Sequence, residues 1–466
     1  MEYIGLELSD AGIMAVGGDP AGPMQIDGQA RESRGYALQQ KKRLFVGNEA
    51  FDLSRIHPRQ TNHSFWAQLS AKPLSGKFAA ASSHAEIAYH QLAKIVEALA
   101  LPASEWVVSV PAFMDEAKLG VLLGVFQELD VQVLGFVPNA VAAVRPAPEA
   151  GEIFHVDAHL HRIEIARCSV DGRVELETTE VLSDGGWHEL LEQIANGLSA
   201  EFVRATRFDP LHHAQVEQQL YSRILPLLRN RIPGDGVPLE LNAGKAAYSL
   251  SVLPGMLVEA SSVVRNQIVE MIRGMIASPC SGVPVAAIYL SHRAALIPGL
   301  PEALSSKNCA AVEVLPPGAA ALGALALREE FLSEKDSRGA TLLTGRPVRV
   351  RGVATEPSGI DRMAAPPPPT HVLLGATACP IGVGLMSICL DRKREGIRIG
   401  GPEEKGILSI RLKRGKPVLE PTAGPSAFLD DRLVAGPVPL RAGQKIRIEG
   451  SADELTLIFV EKGHGA

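Results

Sequence analysis

The sequence predicts an α/β protein of two similar lobes followed by a small all-β sandwich, and three observations carry that prediction. Two apolar runs, Tyr3 to Val16 (YIGLELSDAGIMAV) and Phe154 to Ala166 (FHVDAHLHRIEIA), each reach an acidic residue, break into a tight turn and resume as an alternating strand. The acidic residues, Glu7 and Asp157, stand 150 positions apart. Each hairpin is followed by strand and helix patterns of the βαβ kind. After four consecutive prolines, Pro366 to Pro369, helical periodicity stops and short strands with frequent turns take over. The expected units are a first lobe at 1–150, a second lobe at 151–331, a Pro-rich linker at 332–370 and a β-sandwich at 371–466.

Residues 3–8 read as a strand, Ser9 to Gly12 as its turn, and Ile13 to Val16 as the return strand. A polar stretch leads to Arg43–Gly47 (RLFVG), and Asn62–Leu74 holds Phe65 and Trp66 side by side, read as packing. Ser83 with Glu86 three residues on is a capping box, opening a helix whose apolar face is Ile87, Leu92, Ile95, Val96 and Leu99. Trp106–Val110 is a buried strand, 115–129 a helix, and Val131–Val137 the next strand. Pro138-Asn139 opens a helix of small residues, AVAAV, suited to close packing.

In the second half, Asp171-Gly172 is a two-residue hairpin turn, and Ser183–Trp187 (SDGGW) leads into a helix through Phe202. Leu239–Leu253 reads as a β insertion, Met256–Ile276 as a helix, Val285–Leu290 as a strand, and 318–331 as an alanine-rich helix. From Leu332 to Thr370 pattern dissolves into a connector ending in a stiff polyproline spacer. Beyond it, Ile407–Leu412, Val418–Glu420, Lys445–Glu449 and Leu455–Val460 read as strands, with turns at Arg414–Lys416 and Ala442-Gly443.

Composition bounds the function classes. A hydrophobic share of 46% and a charged share of 21% suit a globular chain. No apolar run approaches the ~18 residues that span a bilayer, and no basic region precedes an apolar signal core, so a cytoplasmic location without membrane association is expected. The net charge of −6 argues against a nucleic-acid partner. The charge is uneven: residues 371–466 carry 14 basic and 11 acidic residues, against 32 and 41 elsewhere. The five cysteines (Cys168, Cys280, Cys309, Cys379, Cys389) have no metal-ligand spacing and read as free thiols.

The order of segments over residues 1–331 resembles the nucleotide-binding domain of DnaK-type heat-shock chaperones, in the actin-like ATPase superfamily. The two hairpins resemble its phosphate loops. Arg43–Glu49 (RLFVGNE), Val107–Ala112 (VVSVPA), Val137–Ala143 (VPNAVAA), the SDGGW segment and the pair Tyr289–Leu300 and Gly318–Ala326 follow in the family's order. That resemblance implies an actin/heat-shock-chaperone-like ATPase fold, ATP or ADP with Mg²⁺ as cofactor, and Asp157 as the metal-holding residue. It also implies cofactor contacts at Ser9, Asp10, Ala11, Asp157, His159, His161, Gly185, Gly186, His292 and Arg293.

The residues at those positions depart from the pattern. A phosphate loop needs glycines so that backbone N–H groups reach the phosphate oxygens. Here the first loop is Glu7-Leu8-Ser9-Asp10-Ala11, with an acid facing the anion, and the second is Asp157-Ala158-His159-Leu160-His161-Arg162. The family's catalytic lysine aligns near Gln68, with Lys72 four residues on. Glu7, Gln68 and Asp157 are thus degenerate catalytic positions, and the residues favour no bound cofactor. His159 and His161 share a face if they lie on one strand, which invites a metal, but no third ligand is evident. His159, His161 and Arg162 also form a cationic cluster for some other anion.

Residues 428–460 resemble the last third of a forkhead-associated (FHA) domain, a phosphothreonine-binding sandwich. Ile399-Gly400-Gly401 lacks that family's arginine, and Asp430-Asp431 replaces its Asn-Gly, so phosphopeptide binding is not expected. The expectation is a pseudo-ATPase scaffold or adaptor, not an enzyme, that meets protein partners or clients through the β-module. The alternatives are an active ATP-binding chaperone-like ATPase and a metabolite kinase of the same superfamily.

Overall fold

The structure, a computed structural model, describes residues 3–347 and 369–458. Within them it omits 19–20, 42, 75–80, 101–103, 145–148, 278–284, 308–309, 334–340, 375–376, 382–385, 392–395, 402–403, 405, 414–415, 423–425, 430–431, 435, 450 and 452. The spacer Pro366–Pro368, the Arg414-Gly415 turn, the Asp430-Asp431 pair, Cys280 and Cys309 lie outside the described residues.

The first hairpin is β1 (Tyr3–Glu7) and β2 (Met14–Gly17), extended by β3 (Gly22–Pro23). Past it, β4 (Ala37–Gln40), β5 (Arg43–Val46) and β6 (Thr61–Asn62) form a small separate sheet. Helix His84–Leu99 starts where the capping box predicts: the Ser83 side chain accepts from the Glu86 amide. It leads to β7 (Glu105–Val110), helix Glu116–Glu128 and β8 (Gln132–Pro138). β7 pairs in parallel with β1 and with β8, giving the order β3-β2-β1-β7-β8. Buried on both sides, β1 and β7 read as nearly unbroken apolar runs.

The plan then repeats. β9 (Gly151–Ala158), β10 (Ile163–Val170) and β11 (Arg173–Leu182) are antiparallel neighbours. Helices Trp187–Thr206 and Ala214–Arg229, the hairpin of β12 (Val237–Ala243) and β13 (Ala246–Val252), and helix Ser262–Ala277 follow. β14 (Val285–Leu290), helix Leu300–Lys307 and β15 (Ala311–Val314) close the sheet in the order β11-β10-β9-β14-β15.

Small residues let the two halves approach. A Cβ on Gly5 would stand 2.0 Å from the Ala321 carbonyl oxygen, and one on Gly323 1.7 Å from that of Ala142. Helix Ala319–Ala326 therefore lies directly on β1 and on helix Asn139–Ala143. Tyr36, Leu38 and Phe51, from the first half, share one apolar cluster with Phe154, Ile194 and Leu220 of the second.

Several expectations need correction. The segment read as a partly ordered linker is tied into both sheets: it contains β16 (Thr341–Leu342), parallel to β8, and β17 (Gly345–Pro347), antiparallel to β11. Seven residues thus add an edge to each sheet, and the buried Arg346 guanidinium donates to the Val144 carbonyl. The helix expected over Met256–Ile276 is two, Pro254–Ala260 and Ser262–Ala277; at the junction the Ser261 hydroxyl donates back to Leu257 O at 2.9 Å, a bond of the kind that bends helices. The alanine-rich helix likewise divides at Leu327 into Ala319–Ala326 and Arg328–Ser333.

By compactness the chain divides into Met1–Ala354 and Thr355–Ala466. The second unit is all-β in its described residues. One sheet runs through Thr377–Pro380, His371–Leu374, Glu454–Ile458, Lys445–Ile448, Ala427–Leu429 and Arg432–Leu433; the other through Gly396–Gly400, Met386–Asp391, Leu408–Lys413, Lys416–Pro421 and Val438–Pro439. Their core holds Val372, Ile388, Ile410, Leu419, Ile446, Leu455 and Leu457. No described helix is long and apolar enough to cross a membrane.

Candidate functional site

β1 ends at Glu7 and β9 one residue past Asp157, and the turns that follow meet one another. The Leu160 amide donates to Asp10 Oδ1 at 2.6 Å, and Ser9 Oγ lies 3.0 Å from His159 Nδ1. Asp10 therefore caps the second turn, and the contact between the turns is made by side chains of the predicted loop positions themselves.

Two cations sit inside this contact. Arg293, 3% exposed, ion-pairs with Glu7, lies 3.2 Å from Glu32 and 3.8 Å from Asp157, and donates to the Gly12 carbonyl at 3.1 Å. Burial disfavours its charge, but Glu7, Asp157 and Glu32 outweigh that and hold its pKa above the usual value. Glu32 is also 2.9 Å from Arg229 and 3.5 Å from His292; its carboxyl is held far down, His292 and Arg293 overcoming burial. His159, 0% exposed, is the second cation. Its ring lies 3.4 Å from Glu164, 3.6 Å from Asp157 and 3.8 Å from Asp10. Burial alone would lower its pKa, but those carboxylates raise it to about 9. Asp157 answers both cations: burial opposes its charge, yet His159 and Arg293 hold it well below the usual carboxylate range.

The VVSVPA and VPNAVAA segments support this network. After Pro111, the amides of Ala112 and Phe113 donate to Glu164 at 2.8 and 3.2 Å. Asn139 donates to the Leu8 carbonyl at 3.2 Å and reaches Asp157 at 3.5 Å. Gly186 closes against the second turn, where a Cβ would stand 2.4 Å from Arg162 N and 2.5 Å from Leu160 O, while one on Gly185 would press on the Leu182 side chain. The absence of a side chain there serves backbone packing.

His159 and His161 do not share a face, because both lie in the turn between β9 and β10. His161 points away, 3.4 Å from Glu189 and 3.0 Å from His63 Nδ1, with His188 stacked on His63 at 4.4 Å. Burial pushes His63 and His188 down to about 4, helped by the neighbouring imidazoles at His63 and by Arg55 and His161 at His188, while Glu189 and Asp10 raise His161 against the cost of burial. Arg162 stacks over Phe113, 4.5 Å from the ring centroid. Among the described residues no group of three or more His, Cys, Asp or Glu side chains is arranged to hold a metal ion.

Of the predicted positions, Glu7, Ser9, Asp10, Asp157, His159, His292 and Arg293 come together here, and Ala11 lines a neighbouring cavity. Gln68 and Lys72 do not: both are exposed, and the Gln68 carbonyl meets the His84 ring. Phe65 and Trp66 are buried, Trp66 donating to Gln91 at 2.8 Å. Sequence reasoning missed Glu32 and Glu164. Glu164 had a signal, an acid inside an apolar strand; Glu32, in a polar stretch, had none. No profile of a known protein family matches the chain, and no curated protein sequence matches it.

Proposed function

We propose that the chain is a divergent relative of the DnaK-type heat-shock chaperones whose two-lobed, actin-like region acts as a pseudo-ATPase scaffold, with the C-terminal FHA-like sandwich as its adaptor module for protein partners. The repeated strand order of the two sheets and the facing hairpins support the lobed reading. The observation that carries the functional one is Arg293. By segment order it stands at the family's adenosine-side turn; in space its guanidinium reaches both Glu7 and Asp157. A triphosphate entering there meets Asp10 and Glu7, and displacing Arg293 leaves two buried carboxylates, Glu7 and Asp157, short of a cation. Such a loss costs ~3–5 kcal/mol per broken buried pair. The residues around Asp157 do not fit a magnesium–nucleotide complex: its two oxygens face Arg293 and His159.

Calorimetric titration with ATP and ADP, with and without Mg²⁺, tests the reading. The expected result is no saturable heat and no steady-state turnover. Turnover that is lost in Asp157→Ala but kept in a surface control overturns it.

A further inference from the structure

Beside the paired turns lies a cavity of about 40 Å³. That is room for a few waters or a ligand head of three or four heavy atoms. Its floor is apolar, with Leu160 and Leu225, and its wall carries three guanidinium groups, Arg34, Arg229 and Arg293, against the single carboxylate of Glu32. Arg293 is neutralised from behind by Glu7 and Asp157, and Arg229 by Glu32. Arg34 is not. It donates to the neutral Asn48 Oδ1 at 2.8 Å and lies over the Phe51 ring at 4.4 Å. Glu32 and Asp52 act on it through space, and among the described residues none stands at ion-pair distance. Two donors that belong to the cavity's lining residues also lack an acceptor: Trp187 Nε1, in a residue 6% exposed, and Arg293 Nε, in a residue 3% exposed.

A partly buried cation without an ion-pair contact, two orphaned N–H groups and a void are together what a bound anion resolves. We infer that this cavity binds the head of a small carboxylate, its two oxygens taking the orphaned donors and its charge answering Arg34. A carboxylate fits better than a phosphate because its two in-plane acceptors match two donors and its small head suits a cavity of about 40 Å³. The inference rests on the reading that no nucleotide occupies the space between the lobes.

The intact chain provides its own reporter. Of the three tryptophans, Trp66 and Trp106 already donate, to Gln91 and Ser104, so only the Trp187 indole N–H should respond. Replacing chloride by sodium acetate at constant ionic strength should move one indole resonance saturably, the one missing from Trp187→Phe. Arg34→Gln should weaken the response at least tenfold. If Arg34→Gln does not fold, calorimetry of acetate binding to wild type and Trp187→Phe decides, with a severalfold loss expected. No acetate-specific shift, or an unchanged one in Arg34→Gln, overturns the proposal and leaves water as the occupant. A stronger response to inorganic phosphate overturns the carboxylate assignment. ADP that displaces acetate would sink the pseudo-ATPase reading, not this site; a silent acetate titration beside silent nucleotide titrations sinks only this site.

Discussion

At the tip of β1 the buried carboxylate, Glu7, is answered by Arg293, 286 residues away just beyond the end of β14. At the tip of β9 the buried carboxylate, Asp157, has His159 two positions on in its own turn, with Arg293 only at 3.8 Å. The two hairpins have the same fold, but one carries its cation locally and the other borrows it from the opposite half. The first hairpin's charge is therefore compensated only when both halves are in place, which makes Arg293 a folding link between them.

Removing that link should give the largest effect. Arg293→Met leaves the buried Glu7 without its cation and Asp157 with His159 alone, and breaking such a pair costs ~3–5 kcal/mol. The loss should appear as a lower denaturation midpoint in urea, and Glu7→Gln in the same chain should restore part of it. A loss below ~1 kcal/mol would mean that the carboxylates find water, and that the contrast between the hairpins is not energetic.

The second hairpin should reveal itself through pH. His159 has a pKa of about 9 when folded against 6.5 as a free side chain. Its charge therefore stabilises the fold fully below pH 6.5, and that contribution disappears as pH rises through 9. The gap corresponds to about 3 kcal/mol. Urea midpoints of the wild type should fall across this window, while His159→Gln, less stable at pH 6.5, should show a flatter profile. Equal slopes in the two proteins would remove His159 from the account.

How much of this was legible follows from the range of the interactions. The hairpins, the Ser83 cap and the small-residue helix Asn139–Ala143 are set by local pattern, and they stand where the sequence placed them. β16 and β17 are two and three residues long and owe their form to the sheet edges they join. Periodicity cannot register strands that short. In the site, the missing glycines were readable, and so was the acid at Asp10. That Arg293 and His159 sit among the carboxylates was not, because each ion pair depends on how the halves pack. Glu32 lies 261 residues from Arg293, and no local signal connects them.

The smallest effects come from two glycines and should have opposite signs. Gly186 has ordinary backbone angles, φ −73° and ψ −174°, so alanine is excluded there only by contact. Its Cβ would press on Arg162 N, His161 C and Leu160 O at 2.4–2.5 Å. All three are backbone atoms of the second turn, which would have to move and would loosen the Asp10 cap on Leu160. Overpacking of this kind costs ~1–3 kcal/mol. Gly124, inside helix Glu116–Glu128, has nothing within 4 Å of the place an alanine methyl would take. Alanine there gains ~1 kcal/mol from helix propensity alone. Its counterpart helix in the second half, Leu300–Lys307, contains no glycine. Urea melts of Gly186→Ala and Gly124→Ala should shift down and up respectively. A Gly186→Ala protein as stable as wild type would show that the second turn yields freely, and that the packing of the two turns is softer than their hydrogen bonds suggest.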